Sequence, residues 1–288
     1  MLSTAVAHVT RGVVGAAALF SWPCGAQFEP SVPRDTLPSR VQVVAINAAI
    51  GAVAGALRAA VTGQDVRKPL MYGAIGGAVH GAGKALSSGG GASRAYAGIV
   101  VSSLGTSLTS NVARGVSPTE EFFLPLGVAR LRVFPRDARH VRLSVDLLST
   151  GVLVHNLLDD RLGFNWYLTA RSGVPTFRTR GYDIVSNGDF IGGVAIAGVV
   201  TVSEFSADTL RLASHERVHV QQYLFAQEVV GRAEEDWLRR RLGARASWWP
   251  SWLDFGLGGA TGYLAIAATG GNGGFVLRNV EREAYALR

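Results

Sequence analysis

At 288 residues the chain is long enough to bury a proper core and to form one or two domains. Its net charge of +7 comes from 26 Arg against 2 Lys, with no lysine-rich or aromatic-interleaved patch, which argues against nucleic acid as a partner. Hydrophobic residues at 48%, charged residues at 17% and 36 Gly bring membrane contact into consideration, while a single Cys rules out an intrachain disulfide.

Residues 1–26 read as an export signal. Arg11 supplies a short positive region, Gly12 to Trp22 an apolar stretch, and Cys24, Gly25 and Ala26 a small-residue cleavage site, with cleavage expected after Ala26. The only cysteine would leave with it. Lipid attachment at Cys24 is the rival reading, for which Ser21, Trp22 and Pro23 make a poor lipoprotein box, and an uncleaved segment would serve as an N-terminal anchor. The expected location is outside the cytoplasm, periplasmic or membrane-associated in a bacterial cell envelope.

A glycine-rich helical region is expected over 27–118. Proline and polar residues from Gln27 to Arg40 suggest an extended linker, and residues 41–57 then carry no charge, a run that as a helix rises about 25 Å. Gly51 with Gly55, and Gly77 with Gly81, form GxxxG steps that let helix backbones approach closely. A third uncharged stretch, 95–113, is rich in Ser and Thr. The pattern fits either a compact bundle in water or helices lying against a membrane.

From 119 to 288 the sequence predicts a mostly antiparallel sheet followed by helices, so the fold class is α+β. Ala129, Leu131 and Val133 alternate with Arg130 and Arg132, and Val141, Leu143, Val145 and Leu147 alternate with Arg142, Ser144 and Asp146. Runs at Gly163–Arg171 and Val194–Ser203, with a turn at Ser186–Asp189, bring the expected number of strands to four to six. Ser206 and Asp208 are both able to cap the helix that follows, which is expected to stop at Gly231. Its apolar residues Leu212, Val218, Phe225 and Val229 are expected to be buried. Arg232–Arg245 reads as a solvated amphipathic helix, and Trp248, Trp249, Pro250 and Trp252 as an interfacial or core cluster. One more helix is expected over Ser251–Thr269, and a last one from Phe275.

The capped helix carries the chemistry. His215, Glu216, Arg217, Val218 and His219 spell HExxH, which a shuffled chain of this composition would contain roughly 0.004 times. Residues four apart lie on one helix face, so both imidazoles can grip one metal ion, zinc being the expectation. Glu216 then stands beside the metal as general base for an attacking water. His8, His80 and His140 are expected in the leader, in helix packing and in a loop.

Two histidines need a further protein ligand. Glu228 is nine residues along the same helix and cannot fold back, and Glu234 and Glu235 would need a sharp reversal. Glu281 and Glu283 sit on a separate final helix able to pack across the first. HExxH followed by Asn279, Val280, Glu281, Arg282, Glu283, Ala284 and Tyr285 resembles the gluzincin metallopeptidases, over about residues 206–286. In the CAAX-prenyl-protease type of that group the local pattern is ExxAD, and its first Glu is a ligand. The resemblance implies His215, His219 and Glu281 as ligands. Tyr285 stands where that pattern has Asp, which keeps Glu283 as an alternative and leaves a contact to a histidine to be supplied elsewhere. If both His219 and Glu281 hold one ion, residues 255–277 must form a buried or interfacial helix, since a single membrane crossing would part them.

The resemblance implies a zinc-dependent peptidase acting on a peptide or protein, with Val194–Ser203 as an edge strand for an extended substrate and Tyr285, Tyr263 or His155 as candidates for oxyanion help. The alternative is a structural or membrane-interaction protein in which zinc only staples two helices.

Overall fold

The computed structural model describes residues 24–25, 37–61, 63–88, 91–137, 140–186, 189–190, 192–243, 252–256, 258 and 275–287. Helix α1 (Arg40–Val61) opens with a reciprocal cap: the Gln42 amide N–H donates to Ser39 Oγ at 3.3 Å and the Ser39 N–H to Gln42 Oε1 at 2.7 Å. Helices α2 (Arg67–Ser87) and α3 (Ala92–Arg114) follow, the last closed by Gly115, whose φ of 73° returns its N–H to the final carbonyls. The expected GxxxG steps are used. A Cβ on Gly51 would strike the Gly73 carbonyl and one on Gly77 the Asn47 carbonyl, so α1 and α2 run antiparallel with their backbones in contact. On its other side α2 meets α3 in the same way, through Gly76, Gly83 and Gly105. The buried hydroxyls of α3 bond within their own helix, Ser103 to the Ile99 carbonyl at 2.7 Å and Ser107 to that of Ser103 at 2.8 Å.

The second half is mixed, as expected for an α+β chain. Strands β2 (Phe122–Leu126), β3 (Ala129–Val133) and β4 (Val141–Asp146) form an antiparallel meander, joined along β4 by β11 (Leu253–Asp254) in parallel. A second sheet has the order β1 (Cys24–Gly25), β9 (Gly193–Ile196), β10 (Val199–Val202), β6 (Thr176–Thr179) and β5 (Leu162–Phe164), with β10 and β6 parallel. Strands β7 (Val185–Ser186) and β8 (Asp189–Phe190) pair about the expected turn. Helices α4 (Leu147–Leu158) and α5 (Trp166–Ser172) are capped by the side chains of Asp146 and Asn165.

Several expectations change. The single predicted sheet is two mixed sheets and a hairpin, because β4 turns directly into α4 at its Asp146 cap. Gly163–Arg171 divides into β5 and α5, where the Asn165 cap starts a helix. Val194–Ser203 is a β9–β10 hairpin, reversed at Ala197 with φ of 52°. The predicted helix from Ser251 is strand at Leu253–Asp254, and most of 255–277 lies outside the described residues, as do Trp248, Trp249, Pro250, Tyr263, His8, the linker through residue 36 and all of the leader except Cys24–Gly25.

The first sheet also turns its charges inward. Arg130 and Arg132 are buried, and Leu143 and Val141 are exposed. Arg132 reaches Glu121, Glu228 at 2.9 Å and Asp254 at 2.8 Å; Arg130 reaches Asp146 at 2.6 Å and Asp254 at 3.0 Å. Burial alone would raise the Glu121 carboxyl, but Arg132, Arg232 and Arg114 hold it down at about 2.

Helix α6 (Thr209–Ala226) is capped by Asp208, whose carboxylate accepts from the Arg211 N–H at 2.9 Å. One of its sides packs on β9 and β10 through Ala213, Val220, Tyr223 and Leu224. Its backbone does not stop at Gly231. A π-turn over Gln227–Gly231 carries it into α7 (Arg232–Leu242), and Ser110 donates to the displaced Glu228 carbonyl at 2.6 Å. Helix α8 (Phe275–Ala286) lies across α6, where Val43 of α1, Val218, Ala284 and Leu287 share a small core.

Candidate metal centre

On α6, one helical turn sets the two imidazoles side by side, with His215 Nε2 and His219 Nε2 3.2 Å apart. Glu281 of α8 presents one carboxylate oxygen to each ring at 3.4 Å. Metal–ligand bonds of about 2.0–2.1 Å at tetrahedral angles place donor atoms about 3.3–3.4 Å apart. The three side chains thus form a group close enough to hold a metal ion, and among the described residues it has these three members. Two imidazoles and a carboxylate are a donor set that zinc accepts while keeping a fourth position.

Electrostatics tie the three together. Burial alone would lower the His219 pKa, but Glu281, with a smaller contribution from Glu216, raises it to about 9. Burial would raise Glu281, and the two histidines instead hold it at about 2. A metal ion held here would take the place of that proton, since it binds the neutral imidazole.

The ring orientation of His219 has its own support. Gln222 Oε1 can only accept, so the 2.8 Å contact makes His219 Nδ1 the donor and leaves Nε2 for a metal. Gln222 donates through Nε2 to Glu283 at 2.7 Å, and Glu283 also accepts from Asn47 Nδ2 at 2.6 Å and pairs with Lys84 Nζ at 2.7 Å. Glu283, the alternative ligand, is therefore turned to the glycine-rich helices, and Glu281 is the carboxylate beside the histidines. Lys84 holds the Glu283 carboxyl at about 2 despite burial that would raise it. Tyr285 packs its ring on His215, centroids 4.7 Å apart. Between them, Gln222 and Tyr285 brace the two imidazoles in a chain that lacks the Asp of the ExxAD pattern.

Glu216 is buried on the same helix, and Gly193 of β9 lies against it: a Cβ at 193 would come 3.1 Å from Glu216 Oε1. Leu212 Cγ lies as close, at 3.0 Å, so the glycine lets β9 approach this face of α6 directly. The other edge of β9 pairs with Cys24–Gly25, in register Cys24 with Ala195 and Gly25 with Val194. His155 is exposed in the last turn of α4 and His140 in a loop; His80 packs in α2, its Nδ1 2.7 Å from Ser102 Oγ and 2.9 Å from Thr106 Oγ1.

Sequence reasoning missed Gln222, Asn47 and Lys84. Gln222 is three residues past His219 and so on its face, a signal within reach. The only signal at Asn47 and Lys84 is a polar side chain within an otherwise apolar helix. Comparison with family models, curated proteins and solved structures gave no match.

Proposed function

We propose that this chain is a zinc-dependent hydrolase cleaving peptide bonds, with His215, His219 and Glu281 as ligands and Glu216 as general base. The observation that supports it is the meeting of three donor groups close enough to share one ion, the two imidazole Nε2 atoms 3.2 Å apart and a different Glu281 oxygen 3.4 Å from each, with a buried carboxylate on the same helix. Zinc so held supplies Lewis acidity and lowers the pKa of a coordinated water towards about 7. The protein's part is proton transfer and placement. Glu216 takes a proton from the attacking water as its oxygen bonds to the carbonyl carbon, and delivers it to the amine nitrogen as the C–N bond breaks.

A second reading has its own support. Glu281 and the Glu283 cluster both fasten α8 to α6, so zinc that only staples these helices fits the same contacts. Glu216 separates the two. Under the hydrolase reading, Glu216→Gln keeps one bound zinc per chain and loses peptide hydrolysis by several orders of magnitude; under the staple reading, zinc binding and function are both untouched by it. Zinc content and cleavage of a peptide library, measured on the same preparations, decide between them.

A further inference from the structure

The glycine-rich layer turns its polar groups inward and its apolar groups out. Asn47, His80, Lys84 and the hydroxyls of α3 face partners within the protein, whereas Ile46, Ile50, Val53 and Leu57 of α1 and Val100 and Leu104 of α3 are all more than two-fifths exposed. Water favours the reverse arrangement. The exposed side of α1 carries no charge from Val41 to Leu57. Most of the layer's charges gather at its two ends: Arg40 and Arg94 at one, and Arg58, Arg67, Lys68 and Arg114 at the other, where Arg58 donates to the Arg114 carbonyl. Asp65 is the only acid between residues 37 and 118. An apolar face between two basic rims complements acyl chains flanked by anionic headgroups.

We propose that this outer face docks on an anionic lipid bilayer, with the three helices lying in the interface and not crossing it. Two observations set that orientation. Behind the layer, α3 packs along its length on β2, α5, α6, the π-turn and α7, a polar and charged half that lipid cannot surround. By length and composition α1 alone could cross a bilayer, but its backbone is held against α2, whose buried Lys84 pairs with Glu283 of α8 and keeps both helices on the polar half. Through Lys84 and Asn47 the metal centre is joined to this layer, and docking holds it at the membrane surface. The inference stands whether or not the centre is catalytic.

The test uses the full chain added to preformed vesicles of phosphatidylcholine containing about one-third phosphatidylglycerol. The wild type floats with them, less with phosphatidylcholine alone and less at high salt. The double variant Ile50→Glu/Val53→Glu changes two exposed positions outside the core clusters, so it keeps its helical circular dichroism and its metal content while flotation falls roughly tenfold or more. Single cysteines, Gln42→Cys and Gln64→Cys in a Cys24→Ser background, are both labelled from outside the vesicle by a membrane-impermeant maleimide. A double variant that floats like the wild type, flotation indifferent to anionic lipid, self-association through this face without vesicle binding, or labelling at one end only would each overturn the proposal.

Discussion

Lys84 and Glu283 meet at 2.7 Å, the lysine fully buried in α2 and the glutamate one helical turn from Val280 on α8. The pair joins the glycine-rich layer to the candidate metal centre, because Glu283 also receives Gln222, which bonds His219. Lys84→Met leaves a buried carboxylate without its cation and is expected to cost about 3–5 kcal/mol. Lys84→Met/Glu283→Gln recovers part of that loss. Denaturant unfolding of the two variants beside the wild type measures both numbers.

If the group holds zinc as proposed, Gln222→Leu is expected to keep the fold and weaken zinc binding by about 10–100-fold, since His219 loses the acceptor that sets its tautomer. Competition with a chromophoric chelator reads this directly. An affinity equal to that of the wild type would show that Gln222 does not orient the ring.

Glu235 gives a pH signature away from the candidate metal centre. Burial, with Asp254 adding to it, raises this carboxyl from 4.5 to about 7, against the bond from the Phe255 N–H and the charge of Arg232. The native state holds its proton more tightly than the unfolded chain. Its contribution to stability is therefore fully present below about pH 4.5 and is lost as pH rises through 7. Glu235→Gln removes that loss: the variant matches the wild type near pH 4 and exceeds it above pH 7 by on the order of 3 kcal/mol. Unfolding curves at both pH values check the sign.

Arg132→Met strips the common partner from Glu121, Glu228 and Asp254. A loss of about 3–5 kcal/mol is expected, larger than for an exposed arginine such as Arg142 in its pair with Asp137. Comparing the melting of the two variants tests the contrast.

Gly77→Ala places a methyl group against the Asn47 carbonyl, with backbone on both sides and no flexible atom to give way. Destabilisation of about 1–3 kcal/mol or more is expected. Because Asn47 also bonds Glu283, zinc affinity should fall with it. A helix that simply gained propensity from Ala would give the opposite sign in thermal melts.

What the sequence made legible was local. Four-residue spacing was enough to set His215 and His219 on one face, and uncharged glycine-rich runs marked α1 to α3. Asp208 announced the start of α6, whereas Gly231 misled as a stop, since its backbone is helical and continues through a π-turn. Glu281 was reached only by way of a family resemblance, because nothing nearby in sequence distinguishes it from Glu283. Alternation marked β3 and β4 correctly but could not say which side was buried. The carboxylates that draw Arg130 and Arg132 inward come from Glu121, Asp146, Glu228 and Asp254, from the neighbouring strand to more than a hundred residues away. The reversal at Ala197 did carry a signal, Gly198 inside the run Val194–Ser203, which reading that run as one strand passed over.

The inward charges of β3 also bear on how this chain changes over time. An apolar core can drift one methylene at a time, each step tolerated before the next. Arg130 and Arg132 answer to four carboxylates spread between residues 121 and 254, so a change at one of them strands several others at once. Descent should therefore keep the set together or lose it together, and kin too distant to share hydropathy patterns should still carry these charges at matching places in the fold.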